Sequence, residues 1–258
     1  AILDRQRAMG IETFHLTSSK HTEAAGAGPA EEDVDGLHFY RSPLPQGMLA
    51  NLPVLNQMSV IDTLAKRLEE VAREVRPDII HAHSPALNGA AALRVGRRLG
   101  LPVVYEVRAF WEDAAVDHGT AKEWGARYRL TRALETRVLQ RADAVTTICE
   151  GLKGDIVERG VDEDKITVIP NAVDPDRFKV GGEVDVELAR SIGLEGKTVL
   201  GFIGSFYAYE GLKLLIEALP AIREARPEIR VLLVGGGPQA DNLKRQVADM
   251  GLDEAGIF

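Results

Sequence analysis

The chain has 258 residues, of which 45% are hydrophobic and 27% charged, with a formal net charge of -8. That composition suits a soluble globular protein with a sizeable core and argues against bulk disorder. No Lys/Arg block is long enough to track a phosphate backbone, which argues against nucleic acid as a partner. Cys149 is the only cysteine, so an internal disulfide and a Cys-based zinc cluster are both excluded. No run of about 18 apolar residues is present to span a membrane, and no basic amphipathic helix stands out.

In chain order, short β-rich runs alternate with helical periodicity, the pattern of βαβ units and parallel sheets. Residues 2–9 read as the end of a helix closed by Gly10, which predicts that a first strand precedes them. Residues 11–16 read as a strand, residues 21–35 as an exposed Ala/Gly/Glu-rich loop, and residues 37–41 as a strand ended by Pro43 and Pro45. Ile61, Leu64, Leu68, Val71 and Val75 recur at helical spacing and define one buried face. Pro77 ends that helix, and DIIHAHSPALNGAAALRVGRRLG reads as strand, loop and helix closed by Gly100.

The strand at 102–107 opens into an aromatic and acidic loop, RAFWEDAAVDHGT. A helix at 121–141, a strand at 144–148, a short helix and a strand at 166–169 complete a first domain over residues 1–172. Residues 173–196 lose periodicity around Pro175, Gly181 and Gly182, which predicts an interdomain connection. A second βαβα run over 197–258 places strands at 198–203 and 229–234 and helices after Gly211 and at 239–250. The fold class expected is α/β: two Rossmann-like domains with parallel sheets, the second incomplete beside the usual six or so strands.

In open parallel sheets ligands bind beyond the carboxyl ends of the strands. The glycine-containing segments 204–211 and 235–238 each precede a helix, where close backbone approach and free amides favour an anion such as a diphosphate. Taken singly, each segment is equally a plain tight turn. His81 and His83 flank Ala82 and are expected on opposite faces, with His83 the better candidate for a cleft. His-x-His alone is a weak metal signal, and no cysteine or carboxylate cluster in the sequence adds to it. Glu106, Arg108, Trp111, Glu112 and Asp113 crowd the next strand end, where they suit sugar hydroxyls and anions or else form a solvated loop with a Glu106–Arg108 salt bridge. Asp143 is read as a capping or pairing residue.

The stretch VIPNAVDPDRF, with DIIHAHSP, GFIGSFYAYEGLKLLIEAL and VLLVGGGPQADNLKRQVADMGL in that order, resembles retaining family-four glycosyltransferases of the GT-B fold. EVRAFWEDAAVDHGT is most similar to bacterial exopolysaccharide or O-antigen subgroups. The resemblance implies transfer of a sugar from a nucleotide-sugar donor to a saccharide or lipid-linked acceptor, with retention, no cofactor and no essential metal. It implies a cytoplasmic enzyme in bacterial surface polysaccharide synthesis, with peripheral contact to the inner membrane. It also implies a chain truncated at both ends and inactive by itself, with the family's paired glutamates lying past Phe258; the open edge and uncovered apolar face of an incomplete second sheet would favour self-association.

Residue by residue, the resemblance puts Gly204, Ser205, Glu210, Gly211, Gly236 and Gly237 on the donor side, His83, Glu106 and Arg108 in the catalytic cleft, and Asn171 at the hinge. The usual donor loop G-R-x-x-x-x-K-G reads Ser205 and Glu210 at its two basic positions, which removes both positive charges. Arg108 stands nearest a position where many members carry histidine. Two other readings remain open at this point: a non-catalytic nucleotide- or sugar-binding partner, and a nucleotide-sugar 2-epimerase.

Overall fold

The computed structural model describes residues 2–258 apart from 27, 47–54, 177, 179–180 and 183. Arg177 of the VIPNAVDPDRF stretch therefore lies outside the described residues. Two compact units are present: Ala1–Ala114 with Lys122–Asn171, and Ala115–Ala121 with Ala172–Phe258.

The first unit opens with α1 (Ile2–Ala8), β1 (His15–Thr17), α2 (Ser19–Ala25), β2 (Glu31–Val34) and β3 (Leu37–Arg41). The expected loop at 21–35 is thus replaced by most of a helix and a strand. β2 pairs antiparallel with β3, and β1 parallel with it, in a three-stranded sheet ordered β1-β3-β2. β2 adds one antiparallel strand to the parallel pairs expected, and its sequence EEDV has no apolar alternation to announce it. Its acids are matched instead: Arg41 Nε donates to Glu32 at 2.7 Å, Arg67 Nη2 to Glu31 at 2.8 Å, and Asp33 lies 3.1 Å from His38.

Next come α3 (Leu55–Val75), β4 (Ile80–His83), α4 (Ala86–Leu99), β5 (Val103–Val107), α5 (Trp111–Asp117, whose residues from Ala115 on are grouped with the second unit), α6 (Ala126–Arg141), β6 (Ala144–Thr147), α7 (Glu150–Glu158) and β7 (Ile166–Val168). The four strands β4-β5-β6-β7 form an all-parallel sheet in sequence order. Its buried face carries Ile80, Ala82, Val103, Tyr105, Val107, Val145 and Ile166, covered by Ala91, Ala92 and Val95 of α4 and Val138 and Leu139 of α6. Ile61 and Leu64 of α3 join the same cluster. Each fully buried Leu, Ile or Val side chain contributes about 1.5–3 kcal/mol, so this face dominates the unit's stability.

Gly89 lets α4 lie directly on that sheet, since a Cβ there would fall 2.4 Å from Val138 Cγ1 and 2.8 Å from Tyr105 Cε2. Gly100 closes α4 in the left-handed region at φ 71°. The loop expected after β5 is largely α5.

The second unit contains α8 (Val186–Ser191), β8 (Thr198–Ser205), α9 (Leu212–Ala225), β9 (Ile229–Gly236), α10 (Ala240–Asp249) and β10 (Gly256–Ile257). α8 falls within the stretch expected to be irregular. Its N-cap Asp185 accepts a hydrogen bond from Leu188 N at 2.9 Å, a local signal sufficient to start a short helix. β10-β9-β8 make a parallel sheet. Leu212, Ile216 and Leu219 of α9 and Leu243 and Val247 of α10 pack on Val231 and Leu233 of β9. Both units are α/β, and each carries a parallel sheet whose carboxyl edge bears the polar residues singled out in the sequence.

Candidate active site

In the first unit the strand parity decides which side chains meet. Along β4 the burial alternates, with Ile80 and Ala82 inward and His81 and His83 outward. Residues two apart on a strand share a face, so the expectation of opposite faces is corrected: both rings are outward, stacked 4.6 Å apart at 23°. On β5, Val103, Tyr105 and Val107 point inward, and Glu106 lies directly beside His83 in the parallel register.

Glu106 Oε2 receives both imidazoles, with His81 Nε2 at 3.1 Å and His83 Nδ1 at 3.4 Å. Its other oxygen accepts from Arg108 Nε at 2.6 Å. The hydrogen bonds from His81 and His83, then that from Arg108, outweigh its partial burial and hold the Glu106 carboxyl well below the usual carboxylate range. Ser84 N donates to Glu106 O at 2.8 Å and Asn88 Nδ2 to His83 O at 3.0 Å, which fixes the turn into α4 behind the cluster. His83, Glu106 and Arg108 are brought together, and His81, set aside in the sequence reading, joins them.

The neighbouring acids behave differently. Glu112 is buried and lies 2.7 Å from Arg159 Nη1, whose guanidinium sits 3.5 Å above the Phe110 ring. It is a core ion pair and not part of a sugar-facing mouth, because the single helical step from exposed Trp111 turns it inward. Asp113 accepts from Tyr128 Oη at 2.8 Å, and burial with that bond pushes the Tyr128 phenol up to about 12. Trp111 is half exposed. Asp143 Oδ2 accepts from Val103 N at 2.8 Å, the pairing role expected of it.

In the second unit Gly204 and Ser205 are the last two rungs of β8, opposite Gly235 and Gly236. They belong to the strand and not to a loop. Phe206 is buried, Glu210 ends a short 3-10 turn, and Gly211 at φ 73° starts α9. The glycine run after β9 has two distinct jobs. A Cβ on Gly235 would sit 1.9 Å from Gly204 O, and one on Gly237 would sit 2.9 Å from Phe206 N, so these two permit the close approach of the β9 end to the β8 end. A Cβ on Gly236 meets nothing within 4 Å, which leaves that residue open to a ligand.

Also in this unit, His118 stacks on Tyr207 at 4.9 Å and Tyr207 on Tyr209 at 5.3 Å, within 11° and 10° of coplanar. This aromatic ladder beside the Ser205 to Glu210 turn is not evident from sequence alone, where the alternation of Tyr207 and Tyr209 is its one signal. Asn171 follows β7 in an exposed segment without regular structure at the end of the first unit. Among the described residues, no helix is long and apolar enough to cross a membrane.

Known proteins share both halves of this architecture. The Glycosyl transferase 4-like domain family matches residues 1–172, and the Glycosyl transferases group 1 family matches residues 186–258. The chain is 29% identical over 232 residues to a 2-deoxystreptamine glucosyltransferase of Streptomyces kanamyceticus, covering 86% of this chain and 58% of that protein. It is 30% identical over 265 residues to a D-inositol 3-phosphate glycosyltransferase of Stackebrandtia nassauensis, covering 98% of this chain and 57% of that protein. The chain thus spans little more than half the length of these relatives. Among solved structures, Anabaena HepE in complex with UDP-glucose aligns with a TM-score of 0.64 at 18% identity, over 86% of this chain and 55% of that one, a likeness of fold. With one family match covering the first unit's whole sequence range and the second following in order, the chain belongs to the glycosyl transferase 4-like family, with the α/β architecture of GT-B glycosyltransferases.

Proposed function

We propose that the intact protein transfers a sugar from a nucleotide-sugar donor to a hydroxyl of a saccharide or lipid-linked acceptor, with retention of configuration and without an essential metal. The observation that carries this reading is the ordered pair of family matches, 1–172 and 186–258, across both units. Residues 1–172 serve as the acceptor side, 173–196 as the connection with Asn171 at its hinge, and 197–258 as donor side. The UDP-glucose bound in HepE, whose fold this chain shares, supports a nucleotide-sugar donor.

Such a transfer asks mainly for positioning and for stabilisation of the departing diphosphate. On the donor side, open Gly236 and the first turn of α9 supply the backbone approach and the positive helix end. Ser205 and Glu210 bring no cation there, and Lys213, in the first turn of α9, lies 3.7 Å from Glu217 one turn along the same helix. On the acceptor side Arg108 supplies a permanent positive charge that is unable to act as a base, and Glu106 orients it. His83 completes the polar wall.

The physiological setting proposed is bacterial surface polysaccharide synthesis at the cytoplasmic side of a membrane. Peripheral contact is supported by α6, whose exposed face carries Arg127, Arg129, Arg137 and Arg141 around Leu130 while Glu135, its one acidic residue, is buried. The first unit therefore holds a basic face that sequence periodicity alone did not disclose.

A second reading, a non-catalytic nucleotide- or sugar-binding partner, is favoured by Ser205 and Glu210. A thermal-shift series of the intact protein with UDP-, GDP-, dTDP- and ADP-sugars tests the first reading, followed by product analysis with saccharide and lipid-linked acceptors. A selective rise in melting temperature with acceptor-dependent transfer supports it. Donor binding without transfer or hydrolysis shifts the assignment to the non-catalytic partner, and conversion of the donor sugar without acceptor shifts it to a 2-epimerase.

A further inference from the structure

His81, His83 and Glu106 each offer one ligand atom, and the three atoms lie within 4.8 Å of one another. Two of the separations are 3.1 Å, from His81 Nε2 to Glu106 Oε2, and 3.4 Å, from His83 Nδ1 to the same oxygen. A tetrahedral zinc-type cation with bonds of about 2.0–2.1 Å to nitrogen and oxygen has ligand-to-ligand edges of roughly 3.3–3.4 Å. The two edges that end on Glu106 fall close to that value, and the third, between the two histidine nitrogens, lies within 4.8 Å.

Two imidazole N–H groups sharing one carboxylate oxygen produce similar distances, so the distances do not decide alone. Three further features favour a cation. The ligands stand on adjacent parallel strands in fixed register, which holds His83 side by side with Glu106 and puts His81 on the same outward face. Glu106 Oε1 is held by Arg108 Nε at 2.6 Å, the kind of outer hydrogen bond that orients a ligating carboxylate and leaves Oε2 for the metal. Both histidine side chains are open to solvent, 38% and 54% exposed, so a cation has an entry path and a fourth position facing water.

We propose that His81, His83 and Glu106 form a binding site for a first-row divalent cation of the zinc class, with its fourth coordination position open. Coordination at His81 Nε2 and His83 Nδ1 leaves the ring protons on His81 Nδ1 and His83 Nε2, so both imidazoles stay neutral. A two-histidine, one-carboxylate set with an open position is the donor set of catalytic rather than sealed structural zinc sites, and the open position accepts a water or a substrate oxygen. Bound there, the cation adds positive charge next to Arg108, which makes it a modulator of whatever anion the strand ends receive. The proposal goes beyond glycosyl transfer and does not rest on it, because occupancy is read without donor or acceptor.

The test is a cobalt titration of the chelator-treated intact protein. The result expected is a visible ligand-field spectrum of tetrahedral intensity that saturates at one equivalent at micromolar cobalt and is displaced by zinc. His81→Ala, His83→Ala and Glu106→Gln each weaken binding by at least about tenfold. Should a variant fold poorly, zinc protection of His81 and His83 in the wild-type protein against diethyl pyrocarbonate, mapped by mass spectrometry, gives the same answer without a substitution. Octahedral spectra alone, one-equivalent binding that survives in the variants, or carbethoxylation unchanged by zinc would overturn the assignment. Donor-induced thermal shifts measured with and without zinc keep this outcome separate from that of the transfer reading.

Discussion

Tyr105 donates a hydrogen bond of 2.5 Å to Glu135 inside the first unit, where both side chains are fully enclosed. Burial raises the Glu135 carboxyl from its ordinary 4.5 to about 7, against the opposing pull of the Tyr105 hydrogen bond, and burial raises the Tyr105 phenol as well. A group whose folded value is raised adds stability below its unfolded value and loses it as pH climbs through the folded one. Glu135 therefore contributes fully below about pH 4.5 and loses about 3 kcal/mol by about pH 7. Glu106, whose value is lowered, runs the other way, its contribution present above about pH 4.5 and fading below it. Urea midpoints measured across this range should fall on the alkaline side in the wild type and stay flatter in Glu135→Gln. Equal slopes in the two proteins would sink the argument.

The glycines of two helices predict opposite outcomes for the same substitution. Gly89→Ala places a methyl 2.4 Å from Val138 and 2.8 Å from Tyr105, so α4 must lift from the sheet. Overpacking of this kind costs about 1–3 kcal/mol. Gly154 lies in the middle of α7, where an added methyl would meet nothing within 4 Å, and Gly154→Ala should stabilise by about 0.5–1 kcal/mol through helix propensity. Chemical denaturation of both variants checks the pair, and a loss at Gly154 or no change at Gly89 would contradict this packing.

The long periodic elements were legible because their apolar spacing is their cause. Ile61, Leu64 and Val71 of α3, and Leu212, Ile216 and Leu219 of α9, are buried, and nothing in their sequences competes. β2 and α5 were not legible, since each is held by charge pairing: Glu31 with Arg67, Glu32 with Arg41, and Glu112 with Arg159. A charged residue turned inward reads in one dimension as a solvated loop. At the candidate site, His83, Glu106 and Arg108 were found from their positions at strand ends, but the meeting of His81 with Glu106 depends on β4–β5 register and on strand parity. The register is a tertiary fact that no local window contains. The parity was available from the His-x-His spacing itself.

The second unit exposes an apolar strand. Ile203 is 84% exposed, and Val199, Leu200 and Val234 are also exposed, on β8 and β9, with β8 at the sheet edge. An edge strand with uncovered apolar side chains is a template for pairing with another copy. The 258-residue chain alone is expected to associate as its concentration rises, and Ile203→Lys should lower the associated fraction. Light scattering after size exclusion measures both, and a monomer at high concentration would refute the expectation.

The arginine face of α6 makes the last prediction. Arg129, Leu130, Arg137 and Arg141 project from one side of a helix whose acidic residue is turned into the core. These 258 residues, of formal net charge -8, are repelled overall by an anionic membrane, so any attraction they feel must be local to such a face. Each arginine near an anionic leaflet contributes about 1 kcal/mol, and the attraction decays within a Debye length of roughly 8 Å at physiological salt. Arg129, Arg137 and Arg141 together thus supply about 3 kcal/mol, enough for weak, reversible contact and not for stable anchoring. The intact protein should co-sediment with phosphatidylglycerol vesicles at low salt, release as salt rises, and ignore phosphatidylcholine vesicles. Changing all three arginines to glutamine should abolish the binding while leaving donor-induced thermal shifts intact, because no donor-side residue is altered. Binding that is indifferent to lipid charge, or retained by the triple variant, would remove α6 as the contact.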